Sequence, residues 1–349
     1  MDKIFKKYKK LVDKETIKIA SDLGKTNLDW SKEISKSLKE TTLAGKGVRG
    51  SLILLTLDLF DKKIKDSAIK IASIIEYLHT ALLIQDDIMD HDSYRRGLRT
   101  MHKKYEDLGR KLKVADSKDF GKSMAICIAD VSIFYALEKL SDLKIDEEEK
   151  TKLFQIINHE FTLVGFGQIQ DLFFSHSNEV PKSNQVLNMY QYKTARYTFS
   201  LPFTIGAILA KKDKVIINNF DKLGVHLGLI YQLTDDALTL NGSLDKVGKA
   251  IGNDISENKK TFYHVLLRKK ANKNDLKVIN QTFGKKKVSK KDIEIVRNLI
   301  KKYRVDEIIN DIIFQHVQDA EKIINNLKIK KEKKRHLFLL IDYLLNRKK

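Results

Sequence analysis

Proline is nearly absent. Only Pro181 and Pro202 interrupt 349 residues, so little in the chain locks φ or removes a backbone donor. Together with long stretches of helical periodicity, that scarcity points to an all-α protein. Cysteine is scarcer still. Cys127 stands alone, which excludes an internal disulfide and fits a reducing compartment. No run reaches the roughly 18 apolar residues of a membrane span. The basic stretch from Met1 to Lys10 lacks the apolar segment of a signal peptide. A soluble, cytoplasmic protein without a membrane span is therefore expected. Repeats, low-complexity linkers and composition breaks are also missing, so residues 1–349 read as one helical domain.

What the chain has in excess is positive charge, a formal +20 dominated by lysine. Such a charge suits nucleic acid, an anionic membrane surface or polyphosphate substrates. Aromatic residues are not interleaved with the basic ones, as a strand-tracking surface would have them, so no nucleic-acid partner is expected. Peripheral contact with an anionic membrane stays open.

Apolar periodicity predicts helices over residues 3–22, 51–60, 65–88, 121–140, 150–174, 186–210 (bent near Pro202) and 221–240. A glycine-bearing basic turn is expected at residues 45–50, a loop at 97–104 and a Gly- and Lys-rich loop at 241–260. Helix pairs with basic connectors follow, and residues 328–335 read as a solvated connector before the last helix.

Two of these helices end in acid. Asp86, Asp87 and Asp90 close the helix over 65–88, and Asp235 and Asp236 close the one over 221–240. Each pair follows an apolar run, and buried carboxylates are costly without a cation or hydrogen-bond partner. Asp86 and Asp90 lie one helical turn apart on one face. Hard oxygen donors at that spacing suit Mg2+, completed by water and substrate phosphate. Acids at a helix C-terminus oppose the helix dipole, and a bound cation relieves that penalty. Cations stand nearby in sequence: Lys46 and Arg49 on a turn entering a helix, a setting suited to phosphate; Arg95 and Arg96 after the first cluster; Lys193; and Lys249 and Lys259 beyond the second. Any one of them is an ordinary surface residue in so basic a chain. Their joint order carries the information.

That order resembles the trans-isoprenyl diphosphate synthases of the polyprenyl synthetase family. From about Leu43 to Arg347 the family's motifs follow in sequence: Gly45-Lys46-x-x-Arg49; Glu76-Tyr77-Leu78-His79; Asp86-Asp87-x-x-Asp90; Arg95-Arg96-Gly97 with Thr100 and His102; Gly167-Gln168-x-x-Asp171; Tyr192-Lys193-Thr194; Gln232-x-x-Asp235-Asp236; Gly248-Lys249; Gly252-x-Asp254-Ile255; and Lys259-x-Thr261. The resemblance implies an all-α bundle around a deep central cavity, usually a homodimer. It implies a chain-elongating prenyltransferase that joins isopentenyl diphosphate to an allylic diphosphate with Mg2+, three ions per site. Asp86, Asp90 and Asp235 would hold the metal, with Asp87 and Asp236 behind them. Arg95, Lys193, Gln232, Lys249 and Lys259 would address the allylic diphosphate. Thr194 would stabilise the carbocation. Lys46, Arg49, His79 and Arg96 would hold isopentenyl diphosphate, and Arg347 would close over the site.

The chain departs from the family pattern in several places. Thr239 stands where the second cluster commonly has a third acid. Arg99 replaces a proline, Ala129 a glycine, and Gly47 an arginine. The helix before the first cluster has Ala81 and Leu82 where aromatic residues would shorten the product, with Leu78, Tyr77 and Ile74 deeper. A C20 product, geranylgeranyl diphosphate, is therefore favoured over farnesyl or longer products. Phe166, Phe173 and Phe174 read as core packing rather than a cavity floor. The rivals are weaker. A terpene cyclase would need no Lys46, Arg49 and His79, a non-catalytic subunit would lose the acidic motifs, and a nucleic-acid-binding protein would leave the buried acids unexplained.

Overall fold

The computed structural model describes residues 1–26, 28–241 and 252–347. Among them the chain is helical throughout, apart from one two-stranded hairpin. It divides into two compact units, Met1–Gln155 with Ile205–Lys211, and Ile156–Thr204 with Lys212–Lys349.

The first unit holds α1 (Asp2–Leu23), α2 (Ser31–Leu43), α3 (Val48–Leu59), α4 (Asp66–Met89), strands β1 (Tyr94–Arg95) and β2 (Leu98–Arg99), α5 (Met101–Leu112), α6 (Ser117–Ser141) and the start of α7 (Glu147–His176). Helix α4 packs against α1, α2, α3, α5 and α6. It is apolar nearly all round, as a helix at the centre of a core must be, with Ile71, Ile74, Ile75, Tyr77 and Ala81 all buried. Several of its internal polar groups are paired. Glu76 accepts the Gly50 amide at 2.8 Å, and the Thr80 and Thr42 hydroxyls meet at 2.9 Å.

The second unit contains the rest of α7, then α8 (Ser183–Tyr190), a π-helical segment (Gln191–Ser200), the start of α9 (Leu201–Leu209), α10 (Lys214–Asn241), α11 (Asn253–Ser256), α12 (Phe262–Lys270), α13 (Lys273–Thr282), α14 (Lys290–Lys302), α15 (Val305–Asn326) and α16 (Lys331–Leu345). Helix α10 packs on the π-helical segment, α15 and α16. Its approach to the π-helical segment depends on two glycines a turn apart. A Cβ at Gly224 would stand 2.3 Å from Ser200 Cα, and one at Gly228 would stand 2.4 Å from Ala195 Cα. The segment itself ends just before Pro202, whose ring would clash with the carbonyl four residues back in an ordinary α-helix.

Several expectations need correction. Helix α2 was not expected, because Ile34, Leu38 and Leu43 make only a thin apolar stripe. Residues 97–104 form no loop: β2 and the first turn of α5 occupy them. Helix α16 begins at Lys331, inside the stretch expected to be a solvated connector. The bend near Pro202 is a change of helix type across residues 191–200. Part of the 241–260 loop is α11, and residues 242–251 lie outside the described residues. Among the described residues, two helices are long and apolar enough to cross a membrane by length and composition. Their best 18-residue windows have mean hydropathy 1.4 for α4 and 1.5 for α6. The α4 window is 72% buried in the protein, which is the setting of a core helix, whereas that of α6 is 39% buried. Of the three phenylalanines read as core, only Phe174 is buried, while Phe166 and Phe173 are exposed.

Candidate active site

In the first unit the acids close α4. Asp86 and Asp87 occupy its last turn and Asp90 caps it, the Asp90 amide donating to the Asp86 carbonyl at 2.8 Å. The α4 dipole opposes negative charge here. The hairpin supplies the compensation. Its two-residue turn is Arg96-Gly97, both at positive φ (54° and 79°), the conformation that matches strand twist in a tight hairpin. That turn returns the chain so that Arg95 Nε donates to Asp87 Oδ1 at 2.5 Å. Arg95 Nη2 reaches Asp86 Oδ2 at 3.2 Å and Asp92 Oδ2 at 3.5 Å. Asp87 is 3% exposed. Burial pushes its carboxyl up to about 7, against the pull of Arg95 and with help from Asp86 and Asp92. Asp92 was missed by sequence reasoning, since it lies outside the helical spacing.

Beside this cluster is a cationic one. Gly47 (φ 63°) turns the chain into α3, placing exposed Lys46 on the turn and buried Arg49 in the first helical turn. The Arg96 guanidinium folds back onto the same turn, where a Cβ at Gly45 would lie 2.6 Å from its Nη1. Buried His79 is held well below its ordinary pKa, by burial first and then by Arg49, Arg96 and Arg95. A neutral imidazole among three guanidiniums is a place where an anion gains charge-assisted hydrogen bonds. The structure thus brings together four of the residues that the motifs singled out. Arg99, in place of the proline, forms a bidentate pair with Asp107 at 2.8–3.0 Å.

In the second unit, α10 carries Gln232, Asp235 and Asp236. Asp236 is buried. It accepts hydrogen bonds from Tyr190 Oη and, at 2.9 Å, from Gln232 Nε2. Burial holds its pKa well above the usual carboxylate range, and Asp254 and Asp235 add to this against the Tyr190 and Gln232 bonds. Gln232 is thus engaged by Asp236. The front carboxylate, Asp235, takes Arg347 Nη2 at 3.0 Å, and that guanidinium stacks 3.9 Å over the Tyr231 ring. Thr239 donates to the Asp235 carbonyl at 3.0 Å, so its hydroxyl is turned to the backbone.

Lys193 and Thr194 lie on the π-helical segment, an irregularity common at functional sites. Lys193 Nζ and Lys259 Nζ both donate to Asp171 Oδ2, at 2.5 and 2.9 Å. Burial disfavours the Asp171 anion, but the two ammoniums outweigh it and lower its pKa. Gly167, one turn earlier on α7, permits the contact: a Cβ there would be 2.5 Å from Lys193 N. The motif Gly167-x-x-x-Asp171 marks both positions, yet sequence reasoning gave Asp171 no task. Lys249 lies outside the described residues.

The polyprenyl synthetase family profile matches residues 31–300. This chain belongs to the polyprenyl synthetase family. A prenyltransferase activity comes with that membership. Among similar proteins, a geranylgeranyl diphosphate synthase of Sulfolobus acidocaldarius is 28% identical over 340 residues, 96% of this chain and 97% of the relative. A short chain isoprenyl diphosphate synthase of Methanocaldococcus jannaschii is 30% identical over 253 residues, 72% of this chain and 71% of the relative. In fold, the chain is similar to a geranylgeranyl pyrophosphate synthase of Corynebacterium glutamicum solved with isoprenyl diphosphate and magnesium. The TM-score is 0.90 at 24% identity, over 98% of this chain and 99% of the other. The family fold is all-α, as expected.

Proposed function

We propose that this prenyl diphosphate synthase makes geranylgeranyl diphosphate (C20) from isopentenyl diphosphate and a shorter allylic diphosphate. The observation that carries the reading is the set of neutral His79, Arg49, Arg95 and Arg96 gathered beside Asp86 and Asp87. A diphosphate bound by these cations would lie beside the acidic cluster. The donor set fits a divalent cation, since Asp86, Asp90 and Asp235 offer only hard carboxylate oxygens. We assign Mg2+ to them, three ions per site, in keeping with the magnesium in the Corynebacterium protein. When bound, the metal supplies charge neutralisation of the allylic diphosphate.

The protein's own groups do the rest. Lys193, Lys259, Lys249 and Arg95 stabilise the departing diphosphate as its carbon–oxygen bond breaks. Gln232 orients Asp236, and Asp171 holds Lys193 and Lys259. Thr194 turns its oxygen dipole toward the allylic cation. Lys46, Arg49, His79 and Arg96 hold isopentenyl diphosphate so that its double bond forms the new carbon–carbon bond. The proton then lost from the condensed chain passes to the diphosphate leaving group. We treat residues 1–349 as one catalytic domain, acting in the cytoplasm, with its +20 charge available for anionic membranes. We also infer a homodimer. Helix α6 leaves Ile126, Val131 and Phe134 exposed, and a second copy would cover them. Light scattering on the purified chain tests this.

The C20 assignment rests on small Ala81, which is buried in α4 beside Leu78 and Tyr77. The test is incubation with Mg2+, labelled isopentenyl diphosphate and each allylic primer, followed by chain-length analysis. A C20 product is expected, and no incorporation with any primer would refute the synthase reading. Ala81→Phe should shorten the product, and an unchanged product would show that Ala81 does not line the elongation cavity. Asp86→Ala and Asp235→Ala should each cut turnover by orders of magnitude in a folded protein. Near-normal rates would remove them from the metal site.

A further inference from the structure

Within the second unit, α10 and α15 pack together. At their contact His226 of α10 meets His316 of α15, and Asp319 follows one turn along α15. The two Nδ1 atoms are 3.0 Å apart, with ring centroids at 5.3 Å and planes inclined by 55°. Asp319 Oδ2 is 4.0 Å from His226 Nδ1. One donor atom from each residue lies within 4.8 Å of the other two. Ligands about 2.0–2.1 Å from a tetrahedral Zn2+ stand roughly 3.4 Å apart. The observed separations of 3.0 and 4.0 Å bracket that edge. The Asp319 side chain is 60% exposed, so a small rotation closes the longer gap and the ion has a path from solvent. An imidazole–imidazole hydrogen bond accounts for the 3.0 Å contact, and the carboxylate stands at 4.0 Å from His226, the outer limit of an ion pair.

We propose that His226, His316 and Asp319 form a binding site for a transition-metal ion of the Zn2+ class, with water in the fourth position. Two imidazoles select such an ion over Mg2+, which prefers an all-oxygen set. The site is therefore separate in chemistry from the carboxylates of the reaction. Its ion ties α10, the helix that presents Asp235 and Asp236, to α15.

The test uses the full chain, stripped with chelator and titrated with Co2+ in excess Mg2+ to occupy the acidic clusters. One Co2+ per chain with a visible nitrogen-ligand spectrum is expected, and Zn2+ should displace it. His226→Ala and His316→Gln should abolish the spectrum while circular dichroism shows intact helices. Zn2+ should raise the melting temperature of the wild type and leave that of His226→Ala unchanged. Absence of bound Co2+ in the folded wild type would overturn the proposal. So would an unaltered spectrum in either histidine variant. If those variants fail to fold, Asp319→Asn at the exposed ligand decides. Affinity should drop by about tenfold or more, and unchanged affinity and spectrum would overturn the site.

Discussion

Asp171→Asn isolates the electrostatics of the lysine pair in the second unit. In the wild type one carboxylate oxygen receives Lys193 Nζ at 2.5 Å and Lys259 Nζ at 2.9 Å. The Asp171 and Lys259 side chains are only 6% and 10% exposed. The shared oxygen keeps the two ammoniums roughly 5 Å apart, where two like unit charges at an effective dielectric near 20 repel by about 3 kcal/mol. In the variant nothing offsets that repulsion, and removing one member of a buried ion pair costs about 3–5 kcal/mol. Asparagine keeps the shape and loses the charge, so urea unfolding of the variant should show that loss of stability. The sign with pH follows from the depressed Asp171 pKa. The stabilisation is present above the unfolded carboxylate pKa of about 3.9 and is lost as pH falls through the folded value. The variant should therefore differ most from the wild type at neutral pH and least in strong acid.

The same experiment separates a structural lysine pair from a diphosphate-binding one. If Lys193 and Lys259 address diphosphate, inorganic pyrophosphate supplies the missing anion. It should then raise the midpoint of Asp171→Asn more than that of the wild type. An unchanged urea midpoint would refute the electrostatic account. A midpoint that falls yet gains nothing extra from pyrophosphate would refute the substrate role of the two lysines.

Two further perturbations test the acidic clusters. Arg347→Ala removes the cation that sits on Asp235, so Mn2+ binding followed by electron paramagnetic resonance should tighten about fivefold, the equivalent of about 1 kcal/mol; weaker binding would show that Arg347 supports the ion. Asp87, whose carboxyl is raised to about 7, costs the folded chain stability once ionised. That cost is absent below about pH 4, grows as pH rises, and levels off near 4 kcal/mol above pH 7. The stability of Asp87→Asn relative to wild type in metal-free buffer should rise across that window, and a flat difference would refute the shift.

The all-α class was legible because apolar periodicity and missing proline act over whole segments. The helices that end in acid were placed to within a residue or two at those ends. What failed was local. Helix α2 has too thin an apolar stripe to announce itself. The hairpin depends on Arg96 accepting positive φ, which no residue type but glycine advertises. In α4 and α6 scattered polar residues break each apolar run, yet the mean hydropathy of the best window stays at 1.4 and 1.5. For the candidate site, motif order named the candidate residues but not their pairings. Asp171, Asp92 and Tyr190 hold the functional groups from other elements, and sequence spacing carries no record of such contacts.

The pairings show a common plan in both acidic clusters. Each pairs a front carboxylate with an arginine: Asp86 with Arg95, and Asp235 with Arg347. Each also has a buried carboxylate behind the front one, Asp87 or Asp236, whose pKa burial has raised. The clusters differ in how the rear acid is satisfied. Asp87 shares the front arginine, whereas Asp236 has its own neutral donors, Tyr190 and Gln232. Drawing Arg95 away would therefore strand a buried charge at Asp87, which is costly. Drawing Arg347 away leaves the Asp236 bonds intact. If, as proposed, the second cluster exchanges its arginine for a cation, the bonds behind it stay in place. On that proposal the independence matters because Thr239, which donates to the Asp235 carbonyl, stands in the place of a third acid.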